Sequence, residues 1–78
     1  MPNNFDFIFG STTNGGTVVA SDGPTFIVLN LSLEFGTVSF DKERSNVSAE
    51  EAASVVLEAA RFIRRENVWA ELDRAHQV

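Results

Sequence analysis

The longest extended run of the chain is Thr25–Phe35, with the sequence TFIVLNLSLEF. Apolar residues occupy every second position of this run, which is typical of a strand with one buried face. Phe26 and Val28 make its first half apolar on both faces, so we expect a central strand or a strand covered by a partner. The positions on the main apolar face are Ile27, Leu29, Leu31, Leu33 and Phe35.

The residues on either side of this run predict turns. Before it, the segment 22–24 reads Asp-Gly-Pro, a combination typical of tight turns. After it, Gly36 shifts the apolar alternation to Val38 and Phe40, which indicates a β-bulge or a turn into a fourth strand. We favour the turn, because the run is already long for a strand of so small a sheet.

The N-terminal part of the chain predicts two shorter strands joined by a loop. Phe5, Phe7 and Phe9 alternate with other residues, so we expect them on the buried face of a first strand. The polar, glycine-rich segment 10–16 predicts a hairpin connection, and the segment 17–21 predicts a second strand. The loop lacks a Lys-Ser/Thr pair and does not precede a helix, so it does not predict a phosphate-binding loop.

The second half of the chain predicts a helix. Ser48 and Glu51 match a capping box, with Ser48 as the N-cap. Apolar residues then recur at helical spacing, and we expect Phe62 of this stripe to face Phe7 of the sheet. The stripe comprises Ala52, Val55, Val56, Ala59, Phe62 and Ile63. The expected fold class is α+β, with three or four antiparallel strands followed by one long helix packed on one face, in a single domain of residues 1–78.

The apolar pattern changes after the predicted helix. A continuous helix would place Trp69 and Leu72 on the side that carries Glu58 and Arg65. Two explanations fit. The helix breaks at Asn67 and a short C-terminal helix folds back, which we favour, or this end of the chain docks on another chain.

The composition excludes several classes of function. The chain has 78 residues, a net charge of −5 and no cysteine, and its first forty residues contain no Lys or Arg. A sheet without cations is a poor surface for nucleic acid. The first residues lack the features of a signal peptide, and the apolar runs are too short to cross a bilayer. We therefore expect a cytoplasmic protein that contacts neither nucleic acid nor membrane directly.

From the sequence we expect a protein that is not an enzyme and that has neither a cofactor nor a metal site. The single histidine, His76, lies close to the C-terminus, where we expect it to be frayed and exposed. The acidic residues around the start of the helix lack the alternating ligand spacing of a calcium loop.

We expect instead a small acidic binding protein that occupies the surface of a partner protein with a basic surface, such as a protein that handles nucleic acid. In size, acidity and lack of site motifs, the whole chain resembles the small inhibitors encoded by bacteriophages, including anti-CRISPR proteins and DNA mimics. The resemblance rests on this profile and on no shared motif. The candidate contact residues are Asp41, Glu43, Glu50 and Glu51, with Trp69 and Leu72 as apolar candidates.

The alternative is a structural or assembly protein that works as an obligate homo-oligomer. The strand that is apolar on both faces and the displaced Trp69 and Leu72 suggest it. Because a short sheet exposes its edge strands, we expect a homodimer.

Overall fold

The computed structural model describes residues 4–77, so the first residues, on which the signal-peptide assessment partly rests, lie outside the described part. The fold is α+β, with a four-stranded antiparallel sheet and three short helices. The strands pair in chain order, so the sheet is a meander with β1 and β4 at its edges. The strands are β1 (Asp6–Thr12), β2 (Gly15–Asp22), β3 (Thr25–Ser32) and β4 (Thr37–Asp41).

Three tight connections set the register of the sheet. The first hairpin pairs Thr12 with Gly15, so its loop is only two residues long and the expected seven-residue loop is wrong. Strand pairing therefore continues up to the two loop residues, Thr13 and Asn14. At the second hairpin Gly23 has φ +59°, a conformation that glycine adopts without steric cost.

The third connection confirms the predicted turn into a fourth strand. Gly36 has φ +64°, and its N–H donates to the carbonyl of Ser32 at 2.8 Å. The Ser32 hydroxyl accepts from the N–H of Phe35 at 3.2 Å. These bonds end β3 at Ser32, three residues before the end of the alternating pattern, and leave Phe35 exposed in the turn. As an inner strand, β3 pairs with β2 on one side and β4 on the other.

The expected single long helix is wrong, because the helical segment breaks twice. It forms α1 (Ala49–Ala53), α2 (Val56–Arg65) and α3 (Val68–Ala75). At the first break, the N–H and the hydroxyl of Ser54 both donate to the carbonyl of Glu51, which competes with the regular helical pattern.

The second break lies at Asn67, as favoured from the sequence. Asn67 adopts the left-handed conformation, with φ 50° and ψ 44°, which asparagine tolerates better than most residues. The chain reverses there, and α3 returns to the sheet with Val68 and Leu72 fully buried.

The buried side chains form one cluster between the helices and one face of the sheet, here called the inner face. Phe7 and Phe9 of β1 pack against this cluster, as predicted for the first strand. Val56 departs from the predicted helical stripe, because 56% of its surface is exposed. The cluster comprises Val18, Ala20, Ile27, Leu29, Leu31, Ala52, Val55, Ala59, Phe62, Ile63, Val68 and Leu72.

None of the described helices has the length and apolar character needed to cross a bilayer.

Candidate functional site

The sheet face opposite the helices, here called the open face, carries a wide groove. No helix in residues 4–77 covers this face, because α1, α2 and α3 all pack against the inner face. One row across its four strands consists of Gly10, Thr17, Asn30 and Ser39. Three polar residues of this row, Thr17, Asn30 and Ser39, line a depression.

The depression, called the polar groove, has a volume of about 690 Å³. Its walls are the hairpin loop 13–14 on one side and the turn residues Glu34 and Phe35 on another. The hydroxyl oxygen of Thr17 is buried in the groove's floor region and has no hydrogen-bond partner within the described residues. The groove therefore offers hydroxyl, amide and carboxylate groups to a bound molecule.

Asp41 lines the polar groove and is held by the chain itself. Its carboxylate accepts from the side-chain amide of Asn30 at 2.9 Å and from the backbone N–H of Arg44 at 3.1 Å. The bond from Asn30, together with the bond and the charge of Arg44, lowers the pKa of Asp41 below its ordinary value of 3.8. Only 17% of this side chain is exposed. Asp41, one of the expected contact residues, therefore has a structural role.

The segment 42–46, predicted as a connector without periodicity, covers the edge of β3 beyond the end of β4. The Asn46 side chain accepts from the N–H of Phe26 at 2.8 Å and donates to the carbonyl of Pro24 at 2.6 Å. The Ser45 hydroxyl accepts from the N–H of Val28 at 2.8 Å. These bonds satisfy backbone groups that a short β4 leaves free, a function that the sequence pattern did not reveal.

The remaining candidate contact residues divide into exposed and buried groups. Glu43, Glu50 and Glu51 are exposed on the connector and on α1. Trp69 is half-buried against the core, and Leu72 is only 1% exposed, which leaves Leu72 no surface for a partner. The structure thus separates the acidic candidates from the apolar ones.

A second concave feature, called the apolar cleft, lies between β4 and α2 and has a volume of about 190 Å³. Val38 of β4 and Val56 of α2 stand at this cleft with 45% and 56% of their surfaces exposed, and Leu57 beside Val56 is 59% exposed. The sequence predicted Val56 on the buried helical stripe and Val38 as an apolar position of the fourth strand, and periodicity cannot show how far a helix layer extends across a sheet. The lining residues are Leu29, Val38, Phe40, Val56, Ala59, Ala60 and Ile63.

His76 is fixed in place, in contrast to the expected frayed position. Its Nδ1 lies 2.7 Å from the carbonyl oxygen of Leu72, and its Nε2 lies 2.6 Å from the carbonyl oxygen of Thr12. Only the protonated ring can donate to both oxygens, so these bonds raise the pKa of His76 above 6.5. His76 therefore ties the end of α3 to the end of β1, and both ring nitrogens are occupied by this structural role.

Among residues 4–77, no group of three or more histidine, aspartate or glutamate side chains is placed to hold a metal ion. Comparison of the chain with protein-family models, with curated protein sequences and with solved structures found no significant match.

Proposed function

We propose that this protein is a small non-enzymatic binding protein that occupies a basic surface of a partner protein. The observation that supports this function is the distribution of charge over the open face and its surroundings. The four strands carry acidic residues and no Lys or Arg. Four of the six bases instead lie on the helices that cover the inner face, at Arg61, Arg64, Arg65 and Arg74.

Two acids around the open face are not neutralised by an ion pair. Within the described residues, Glu34 at the polar groove and Glu43 on the connector form no ion pair. At the groove itself Arg44 pairs with Asp41 at 3.7 Å, and on the helix side Arg74 pairs with Glu71 at 3.1 Å. An uncovered surface with unpaired carboxylates attracts a cationic partner and repels nucleic acid, as in the bacteriophage inhibitors that the chain resembles in profile.

The experiment compares two charge-reversed variants in binding to a partner that is captured from extracts of the source cell and then purified. Glu34→Lys/Glu43→Lys changes the groove side of the molecule, and both side chains are exposed. Glu66→Lys/Asp73→Lys makes the same change in net charge on the helix side and serves as the matched control. Asp41 is left unchanged, because its carboxylate holds Asn30.

We expect the association rate of Glu34→Lys/Glu43→Lys to fall about tenfold or more at low salt, since exposed complementary charges act mainly on association. The difference from wild type should shrink as the Debye length falls from about 10 Å at 0.1 M salt to about 3 Å at 1 M. Surface plasmon resonance measures both effects. Equal rates for the two double variants would contradict the proposal.

A second candidate function is that of a structural subunit that works as a homo-oligomer. The exposed apolar side chains of Val38 and Val56, which line the same cleft, favour it, because such groups clustered at one place often mark an interface.

A further inference from the structure

We propose that the free edge of β4 and the apolar cleft beside it form a symmetric interface with a second copy of this chain. In this dimer, β4 pairs antiparallel with β4 of the partner copy in a register centred on Ser39, which joins the two sheets into one of eight strands. This inference goes beyond the proposed binding of a basic partner and does not depend on it.

The edge of β4 differs from the edge of β1 in how the helices cover it. At β1, the inner-face side chains Phe7 and Phe9 lie against Phe62 of α2, so that edge is closed from the helix side. At β4, the helices stop short, and the apolar cleft separates Val38 from Val56. An apolar surface beside an unpaired strand is the combination that proteins ordinarily cover.

The sequence of β4 does not oppose pairing with another strand. Thr37–Asp41 contains no proline and no lysine, two residue types that commonly protect an edge strand from association. Its first charged side chain, Asp41, stands at the end of the strand and is held by Asn30.

The register centred on Ser39 makes the strand complementary to itself. Residues whose numbers add to 78 then stand opposite each other, so Val38 of each copy faces Phe40 of the other on the inner face. On the open face, Thr37 faces Asp41.

Neighbouring registers fit less well. A register centred on Phe40 would set Val38 opposite the charged Lys42, and a register centred on Val38 would set Phe40 opposite Gly36. The Ser39 register is therefore the one that pairs apolar groups with apolar groups and places no like charges opposite each other.

The two-fold axis of this register runs through Ser39, perpendicular to the sheet, and keeps both helix layers on the same side. The apolar cleft of one copy then faces that of the other, and the exposed Val56 gains an apolar environment. On the opposite side, the two polar grooves meet at the axis, because Ser39 lines each of them.

Cysteine cross-linking tests the register, since the chain has no cysteine of its own. Directly opposed residues of an antiparallel pair have Cα atoms about 4.5–5.5 Å apart, within the range of a disulfide. Ser39→Cys should therefore form a disulfide-linked dimer under mild oxidation. Thr37→Cys is the matched control, because its symmetry mate lies four residues along the strand, about 13 Å away.

Analytical ultracentrifugation tests the interface without cross-linking. Wild type should sediment as a dimer at high micromolar concentration. Val56→Glu should raise the dimer dissociation constant about tenfold or more, because it places a charge in the apolar contact. The added acid lies at the start of α2, where a negative charge is compatible with the helix. Ile8→Lys, an equally exposed change on the open face of β1, should leave the dimer intact.

A monomeric wild type would overturn the proposal, as would a dimer that Ile8→Lys dissociates and Val56→Glu does not. Equal cross-linking of Ser39→Cys and Thr37→Cys would overturn the register. Binding of a different protein to the cleft of a monomer would likewise contradict the assignment of a second copy. A far-ultraviolet circular dichroism spectrum of each variant confirms that it is folded.

Discussion

Phe62 of α2 stacks on Phe7 of β1, with ring centroids 5.2 Å apart and ring planes inclined by 22°. Phe9 meets the same Phe62 ring nearly edge-on at 6.1 Å, and the guanidinium of Arg65 lies 5.9 Å from its centroid. The sequence predicted that Phe7 and Phe62 face each other, and the structure confirms it. This contact joins the helix layer to the edge of the sheet.

Replacing Phe62 with alanine should remove a large part of the stability of the domain. The side chain is buried, and losing a buried aromatic ring costs about 3–5 kcal/mol, against a total of about 5–15 kcal/mol for a small protein. Phe7→Ala should cost less, because Phe7 is half-buried. Urea unfolding of both single variants and the double variant should give a coupling of about 0.5–1.5 kcal/mol.

Phe35→Ala is the control for these variants, because Phe35 is 74% exposed and should change stability by less than about 0.5 kcal/mol. If Phe62→Ala does not fold, Phe62→Leu supplies a milder change for the same cycle. Additive effects of the Phe7 and Phe62 changes would contradict a direct stacking contribution.

The N-cap at Ser48 gives a second prediction. The Ser48 hydroxyl accepts from the backbone N–H of Glu51 at 3.2 Å, as the capping pattern indicated. Ser48→Ala should cost about 1 kcal/mol, because one helix N–H loses its acceptor. Ser48→Asn should restore most of this loss, since its side chain also accepts at this position. An unchanged urea midpoint for Ser48→Ala would show that the cap contributes nothing.

The pH dependence of stability should reflect His76. Because the hydrogen bonds to Leu72 and Thr12 raise its pKa in the folded state, its contribution is fully present below the unfolded pKa of about 6.5. The contribution is lost as the pH rises through the folded pKa. Urea midpoints between about pH 5.5 and 8.5 should therefore decline toward the alkaline side.

His76→Gln should remove this decline, because glutamine keeps a donor but does not titrate in that range. Asp41 does not interfere, since its lowered pKa affects stability in the opposite direction and only at acid pH. An equal decline in wild type and His76→Gln would show that another group is responsible.

Gly16 allows α3 to pack directly on the sheet. A Cβ atom at Gly16 would lie 2.5 Å from both methyl groups of Leu72. Gly16→Ala should therefore destabilise the protein by about 1–3 kcal/mol, the usual cost of overfilling a core. Gly10→Ala is the control, because no atom lies within 4 Å of the added group.

The steric origin of the Gly16 effect is tested by adding Leu72→Val, which shortens the opposing side chain. The double variant Gly16→Ala/Leu72→Val should be more stable than the sum of the two single changes implies. Thermal unfolding of the four proteins measures this difference, and strict additivity would contradict the contact.

Local sequence patterns determined the elements of this fold. Alternation specified which faces of β1 and β3 are buried, because the side chains of a strand point to opposite sides in turn. Gly36 located the turn into β4, since an L-residue pays a steric cost for positive φ. Ser48 located the start of the helical segment, because a hydroxyl there satisfies a free helix N–H. Each of these signals depends on neighbouring residues alone.

The tertiary structure decided how far each element extends and which surface stays open. Ser54 ends α1 by donating hydrogen bonds to the carbonyl of Glu51. The same sequence pattern also fits a continuous helix, so the sequence alone did not reveal this break. Leu72 was displaced from the expected stripe, and it became core once the chain reversed at Asn67 and brought it against Gly16. Periodicity gives one face of one helix, whereas burial depends on the position of that helix over the sheet.

The candidate surfaces depend even more on tertiary structure. The acidity of the strands is visible in the sequence, but the covered face of the sheet is set by where α2 and α3 pack. The sequence predicted Asp41 as a free contact group. Strand pairing instead brings the Asn30 side-chain amide within 2.9 Å of its carboxylate, and this hydrogen bond holds the side chain in place. The cleft between Val38 and Val56 arises from the limited width of the helix layer. Such distances between residues remote in sequence are fixed by packing, and local patterns carry no information about them.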